Sequence, residues 1–342
     1  MKGTPGLYSR ASDVRVIGMR ADGNSMGSGS GMRPGLVVHV GASRAGWWRD
    51  HMAALLPDHD VHLWDEVPDP ATIRYAVVWK HPPGGLRRFA NLHAILSIGA
   101  GVDHVLVDPD LPAGVPVIRT TGAALTQRMR EYVCLHVLRM HRQCPTFQSA
   151  RAERRWHQPV LPPAPMRGVG IMGLGGLGQA CATALAGLGF AVSGWARSRR
   201  ALPGIAVYAG AEERDAFLAA SEILVCLLPL TAQTQGVLNA SLFDRLPRGA
   251  CLINAARGRH LVEEALIPAL DAGALSHAVL DVFRTEPLPD AHPFWDDPRI
   301  DITCHSASLI DPEAGGRLIA DNIRRIAEGA PVPDLVDTAR GY

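Results

Sequence analysis

Short apolar runs alternate with amphipathic stretches along most of the chain, from about residue 36 to the C-terminus. The runs 36–40 (LVVHV), 75–79 (YAVVW), 94–98 (AILSI) and 115–118 (VPVI) have the length and β-branched content of buried strands. Between them, 47–56 places its apolar residues at helical spacing. A second series of strand-like runs follows at 168–172, 190–193, 222–228, 250–253, 277–282 and 300–303. Alternation of strands and helices predicts an α/β chain built on parallel sheets with helices on both faces.

The join between the two series is informative. Residues 126–143 contain neither Gly nor Pro and carry Met129, Val133, Val137 and Met140 at helical spacing, which predicts one long linking helix. The segment 151–165, with Trp156 and a cluster of prolines, is expected to form an extended arm. A last helix over 312–328 is expected to fold back onto the first domain. The predicted division is 32–125 together with 309–342 for one domain and 126–308 for the other. Residues 1–31 differ from the rest and end in a Gly/Ser run. They are expected to be a disordered extension or an expression remnant, with Met32 as the natural start. Their Arg- and Ser-rich composition leaves a transit peptide open.

Composition narrows the function classes. At 342 residues and 47% hydrophobic content the chain can bury two moderate cores. The charge is balanced, 34 Lys and Arg against 33 Asp and Glu, so no global field recruits nucleic acid or an anionic membrane. No apolar stretch approaches the ~20 residues that span a bilayer. Cys134, Cys144, Cys181, Cys226, Cys251 and Cys304 include no C-x-x-C pair, and several lie inside apolar runs. That usage suits free thiols in a reducing cytoplasm. Fourteen histidines raise the question of a metal, but none forms a convincing ligand cluster, and no metal is expected.

Gly173, Gly175 and Gly178 form G-x-G-x-x-G after an apolar strand and before a predicted helix, 179–188. Such glycines serve a tight turn, close approach of backbone to a pyrophosphate, and packing of helix on strand. The helix N-terminus adds amide donors and positive potential. Leu174, Gly176 and Leu177 share this turn and are expected to line the dinucleotide. NAD enzymes carry an acidic residue about 20 positions on, bonded to the ribose hydroxyls. Here that position is Ala196, followed by Arg197, Ser198 and Arg199. Loss of the carboxylate beside planar, bidentate arginines favours a 2′-phosphate, so NADPH is the expected cofactor, with NADH possible.

Three later segments complete a pattern: 254–258 (NAARG), 280–287 (LDVFRTEP) and 302–307 (ITCHSA). With 99–103 (GAGVD) and the C-terminal 336–342 (VDTARGY), they resemble the D-2-hydroxyacid dehydrogenase family, nearest its A-type glyoxylate/hydroxypyruvate reductases. The resemblance implies two Rossmann-like, doubly wound parallel-sheet domains with the active site in the cleft between them. It implies Arg257, Glu286 and His305 as the catalytic set. The residue chemistry agrees: Arg257 can bind a carboxylate and polarise a carbonyl, and His305 titrates in the right range to give a proton. Glu286 would orient the imidazole and favour its charged form. Singly, each has a plainer reading, as a helix-start cation, a turn cap and a core histidine.

By the same resemblance, the amides of Ala100 and Gly101 would hold the substrate carboxylate. Leu228, Pro229 and Thr231 would lie beneath the nicotinamide, and Ala255, Ala256, Arg257, Asp281 and His305 would also bind the cofactor. Trp156 would reach the neighbouring active site of a homodimer, and Trp48 and Trp295 are candidates for the pocket wall. One departure stands out: the family commonly has Pro before the catalytic His, where this chain has Cys304. The expected activity is reduction of a small 2-oxo acid by NADPH in the cytoplasm, with no nucleic-acid or membrane partner. The rival readings are an NAD-linked dehydrogenase of another 2-hydroxy acid, and a nucleotide-sensing scaffold without turnover.

Overall fold

A computed structural model describes residues 33–342. The expectations for residues 1–31 and for Met32 lie outside the described residues. The chain separates into two compact units. One takes the described residues up to Gly122 together with Ile310–Tyr342; the other is Ala123–Leu309. The second unit thus begins at 123 and not 126, and ends at 309 and not 308.

The first unit contains β1 (Gly35–His39), α1 (Ala42–Leu55), β2 (Asp60–Leu63), β3 (Ile73–Val78), β4 (Ala94–Ser97), the short α2 (Asp103–Leu106) and β5 (Val117–Ile118). Its parallel sheet has the order β2-β1-β3-β4-β5. The central strands are apolar on both faces because helices cover both, which is why they read as unbroken hydrophobic runs. The C-terminal helix Pro312–Ala327 does return to this unit: Ile319, Ala320 and Ile323 pack in one core with Leu36, Met52 and Leu96. Asp311 caps it by accepting from the Ala314 amide at 2.9 Å.

The second unit opens with α3 (Ala123–His141) and α4 (Cys144–Ala152). The helix expected over 126–143 therefore starts earlier and stops at His141. Gln143 turns left-handed at φ 52°, and Pro145 begins a new helix where it could not have continued the old one. The expected arm is correspondingly shorter, because α4 takes its first residues and Ala164–Met166 forms a 3-10 turn. Then follow β6 (Gly168–Met172), α5 (Gly176–Gly187), β7 (Ala191–Ala196), β8 (Ala206–Ala209), α6 (Arg214–Ala219), β9 (Ile223–Cys226), α7 (Ala240–Phe243), β10 (Ala250–Asn254), α8 (Leu266–Asp271), β11 (Leu275–Leu280) and β12 (Ile300–Ile302). The sheet is parallel, in the order β12-β11-β10-β9-β6-β7-β8. From β6 the chain runs outward through β7 and β8, then returns to β9 on the other side of β6. The loops after β6 and β9 diverge at that reversal, and open α/β sheets form their ligand crevice there. No described helix is long and apolar enough to cross a membrane.

Candidate active site

At the C-terminal end of β6 the chain enters Gly173, at φ 100°, whose amide donates to the Trp195 carbonyl at 2.9 Å. A Cβ at Gly178 would lie 1.8 Å from the Gly173 carbonyl oxygen, so only glycine lets α5 start this close to the strand. At Gly175 and Gly176 a Cβ would meet nothing within 4 Å. That open space lies at the N-terminus of α5, where first-turn amides lack helical partners and the helix dipole favours an anion. These residues fit a dinucleotide pyrophosphate. Leu174 is buried against Gly194, and Leu177 is half-buried on the first turn.

Ala196 ends β7 and is buried, so a methyl group stands where a ribose-binding carboxylate was expected to be absent. Arg197, Ser198 and Arg199 are exposed in the loop beyond it. Arg199 is drawn onto Glu213. Arg200, next in the same basic run, reaches back to the Leu174 carbonyl and ties this loop to the glycine turn.

The loop after β9 carries Leu228, Pro229 and Thr231. The Pro229 carbonyl accepts from Thr234 Oγ1 at 2.7 Å, and the Thr231 amide donates to the same hydroxyl at 2.8 Å. After β10 come Ala255 and Ala256, both nearly buried, and then Arg257. A Cβ at Gly258 would lie 1.9 Å from the Phe283 carbonyl carbon, which explains the glycine beside the arginine. His260, fully buried, brackets Arg257: its Nδ1 lies 3.2 Å from the Arg257 amide and its Nε2 3.3 Å from the Pro229 carbonyl.

His305 follows β12 and adopts φ 50°, a left-handed conformation that side-chain-bearing residues rarely take. Its amide donates to the Asp281 carbonyl at 2.7 Å, and its Nδ1 lies 2.9 Å from Glu286 Oε2. The other carboxylate oxygen of Glu286 accepts from the Phe283 amide at 3.1 Å. A carboxylate only accepts, so Nδ1 carries a proton toward Glu286, and Nε2 is the ring nitrogen left for a reacting atom.

Asp281 was expected to bind the cofactor. It is 1% exposed, and its carboxylate accepts from Ser306 N at 2.8 Å, Ala307 N at 3.0 Å and Thr303 Oγ1 at 2.7 Å. Its visible work is to hold the His305 loop. Tyr132, on α3, extends the chain of bonds, its hydroxyl lying 2.7 Å from Thr303 Oγ1. Burial pushes the Tyr132 phenol far above its ordinary range, so it stays protonated there. Sequence reasoning missed Thr303 and Tyr132, since residues 171 positions apart leave no local signal.

Of the tryptophans, Trp156 is 90% exposed on the arm, and Trp295 is exposed with its indole N–H donating to the Pro289 carbonyl at 3.0 Å. Trp48 corrects the expectation of a pocket wall: it is 2% exposed, packed in the first unit's core on the face of α1 that meets the C-terminal helix. In the first unit, Ala100 and Gly101 lie in the loop after β4. Among the described residues no group of three or more His, Cys, Asp or Glu is placed to hold a metal ion.

The family model for the NAD binding domain of D-isomer specific 2-hydroxyacid dehydrogenases matches residues 134–307. This chain belongs to that family. Glyoxylate/hydroxypyruvate reductase A of Serratia proteamaculans is 41% identical over 302 residues, 86% of this chain and 96% of the relative. A D-isomer specific 2-hydroxyacid dehydrogenase from Xanthobacter autotrophicus, solved with NADPH and MES, is similar at TM-score 0.86 and 42% identity, covering 91% of this chain and 100% of that one. An NADPH-dependent glyoxylate/hydroxypyruvate reductase from Sinorhizobium meliloti, solved with NADP and sulfate, is similar at TM-score 0.83 and 38% identity, covering 90% and 99%. As a D-2-hydroxyacid dehydrogenase, the chain is an NAD(P)H-dependent oxidoreductase, and the glycine turn at Gly173–Gly178 lies inside the matched domain.

Proposed function

We propose that this dehydrogenase reduces glyoxylate or hydroxypyruvate to glycolate or D-glycerate with NADPH. The observation that carries the reading is the His305–Glu286 pair at 2.9 Å on the same strand-end edge as Arg257 and the glycine turn. When bound, the nicotinamide supplies the hydride. Arg257 pairs with the substrate carboxylate and polarises the carbonyl. His305 gives its Nε2 proton to the oxygen as negative charge develops, and Glu286 keeps the ring oriented. The amides of Ala100 and Gly101 receive the carboxylate, and Trp295 contributes to the pocket.

The adenosine end supports NADP. A buried methyl at Ala196 offers nothing to the ribose hydroxyls, while Arg197 and Ser198 stand exposed where a 2′-phosphate would come. Exposed Leu135, Phe147, Trp156 and Val160, on α3, α4 and the arm, support a homodimer formed through these elements, in which Trp156 reaches the partner's site. Six free cysteines among the described residues support a reducing cytoplasm.

A steady-state panel tests the reading. NADPH is expected to be oxidised on adding glyoxylate or hydroxypyruvate, with kcat/KM at least about tenfold above that for NADH. Arg197→Ala should weaken NADPH and spare NADH. A clear preference for NADH sinks the cofactor assignment, and failure with both acids sinks the substrate assignment.

A further inference from the structure

Ser97 ends β4 and is fully buried, and its hydroxyl is a hub for the loop that follows. The Gly99 amide lies 3.3 Å from Ser97 Oγ and His104 Nε2 lies 3.0 Å from it. The carbonyls of Gly99 and Gly101 lie 3.2 and 3.3 Å from the same oxygen. A hydroxyl has one proton and two acceptor positions. The Gly99 N–H and the His104 Nε2–H fill the acceptor positions, and the hydroxyl proton goes to the loop carbonyls.

The imidazole is fixed in turn. The Lys80 amide donates to His104 Nδ1 at 3.1 Å, so the ring hydrogen of this neutral tautomer sits on Nε2, facing Ser97. Lys80 follows β3 at φ 51°, a rare conformation for lysine, and this bond holds it there. The Trp79 ring lies 4.2 Å from the His104 ring and 3.0 Å from where a Cβ on Gly99 would be. From the far side, after β5, the Thr120 amide donates to the Gly99 carbonyl at 3.1 Å and Thr120 Oγ1 donates to the Ser97 carbonyl at 2.5 Å. The chain leaving β3, β4 and β5 is thus tied together at Ser97 and His104.

The consequence lies in the peptide planes. In a trans peptide, a carbonyl and the N–H that follows it point in opposite directions. With the Gly99 carbonyl drawn to Ser97 and Thr120, the Ala100 amide points away from the hub. We propose that Ser97 and His104 are positioning residues that hold the 99–101 loop with its amides presented to the substrate carboxylate. The inference rests on the proposed function, in which those amides receive that carboxylate.

The test compares Ser97→Ala, His104→Ala and His104→Gln in the full-length enzyme. Either alanine variant is expected to raise the KM for glyoxylate and the inhibition constant of oxalate together, by about tenfold, as for one oriented hydrogen bond lost. The kcat should fall by less than about threefold, and the NADPH dissociation constant should stay put, because the lost contact is made by substrate alone. The glutamine amide can accept from Lys80 and donate to Ser97, so His104→Gln should recover most of the loss. Should Ser97→Ala not fold, the two His104 variants decide. An unchanged KM and oxalate constant in folded His104→Ala, or equal losses in His104→Gln and His104→Ala, overturns the proposal. If the wild type leaves glyoxylate unreduced with NADPH, the functional reading fails instead. Calorimetric oxalate binding by the NADPH-loaded variants then still decides the positioning role by the same comparison.

Discussion

The left-handed backbone at His305 costs on the order of 1 kcal/mol for a residue with a side chain. Asp281 offsets that cost. Its carbonyl accepts the His305 amide, while its carboxylate accepts the next two amides and the Thr303 hydroxyl. The ring is thereby aimed at Glu286, and in the proposed reduction its Nε2 proton goes to the substrate oxygen. Glu286→Gln replaces a carboxylate, which only accepts, with an amide that can turn its N–H toward Nδ1 and misorient the ring. Reductive kcat is expected to fall by at least about tenfold in that variant while the NADPH dissociation constant holds. An unchanged kcat, with chemistry limiting turnover, would show that Glu286 does not position the ring. The cysteines differ among themselves in the same environment-driven way. Burial pushes the thiols of Cys181 and Cys226 up to about 12, which makes them inert, whereas Cys304 beside His305 is exposed.

At the scale of elements, a buried pair after β3 shows how a loop is held without regular structure. His81 Nε2 lies 3.0 Å from Asp108 Oδ2, and Asp108 also accepts from the amides of Gly84 and Asp110, each at about 2.9 Å. Burial pushes the Asp108 carboxyl up, but these donors outweigh it and hold the group below its ordinary range. A carboxyl lowered on folding stabilises the protein above its unfolded value, near ~4, and loses that contribution as pH falls through the folded value. Asp108→Asn should cost about 1–3 kcal/mol at neutral pH and flatten the loss of stability in acid, read from urea melts across pH. An unchanged acid slope would show that Asp108 is not part of it. Most strands were legible because they are buried on both faces: 168–172 coincides with β6, and 250–253 falls one residue short of β10. The unforeseen strands, β2 and β8, are four-residue sheet edges with half-exposed, mixed sequences, where burial leaves no hydrophobic run. The site divided in the same way. Arg257, Glu286 and His305 stood in recognisable runs, whereas the bonds made by Asp281, Tyr132 and Arg200 depend on partners 22, 171 and 26 positions away.

Across the whole molecule, each unit carries a parallel sheet whose loops of interest leave C-terminal strand ends, the glycine turn and His305 in one and the 99–101 loop in the other. In the proposed homodimer the arm acts between subunits. Trp156 and Val160, 90% and 100% exposed, are expected to be covered by a second copy of the chain. Trp156→Ala should then impair catalysis without unfolding the protein. Mixing it with Arg257→Ala should restore activity through hybrids that hold one intact site, whereas absent recovery with confirmed subunit exchange would count against a shared site. In the proposed reaction a hydride passes from NADPH to a 2-oxo acid and His305 supplies the proton. Both steps are read in a single-turnover experiment that mixes NADPH-loaded enzyme with hydroxypyruvate and follows the reduced-nicotinamide absorbance. The expected result is one D-glycerate formed per NADPH consumed, and a His305→Ala variant that binds NADPH normally but turns over at least ~100-fold more slowly. Absorbance that does not decay in the wild type would rule out the hydride transfer, and decay as fast in the variant would rule out His305 as the proton donor.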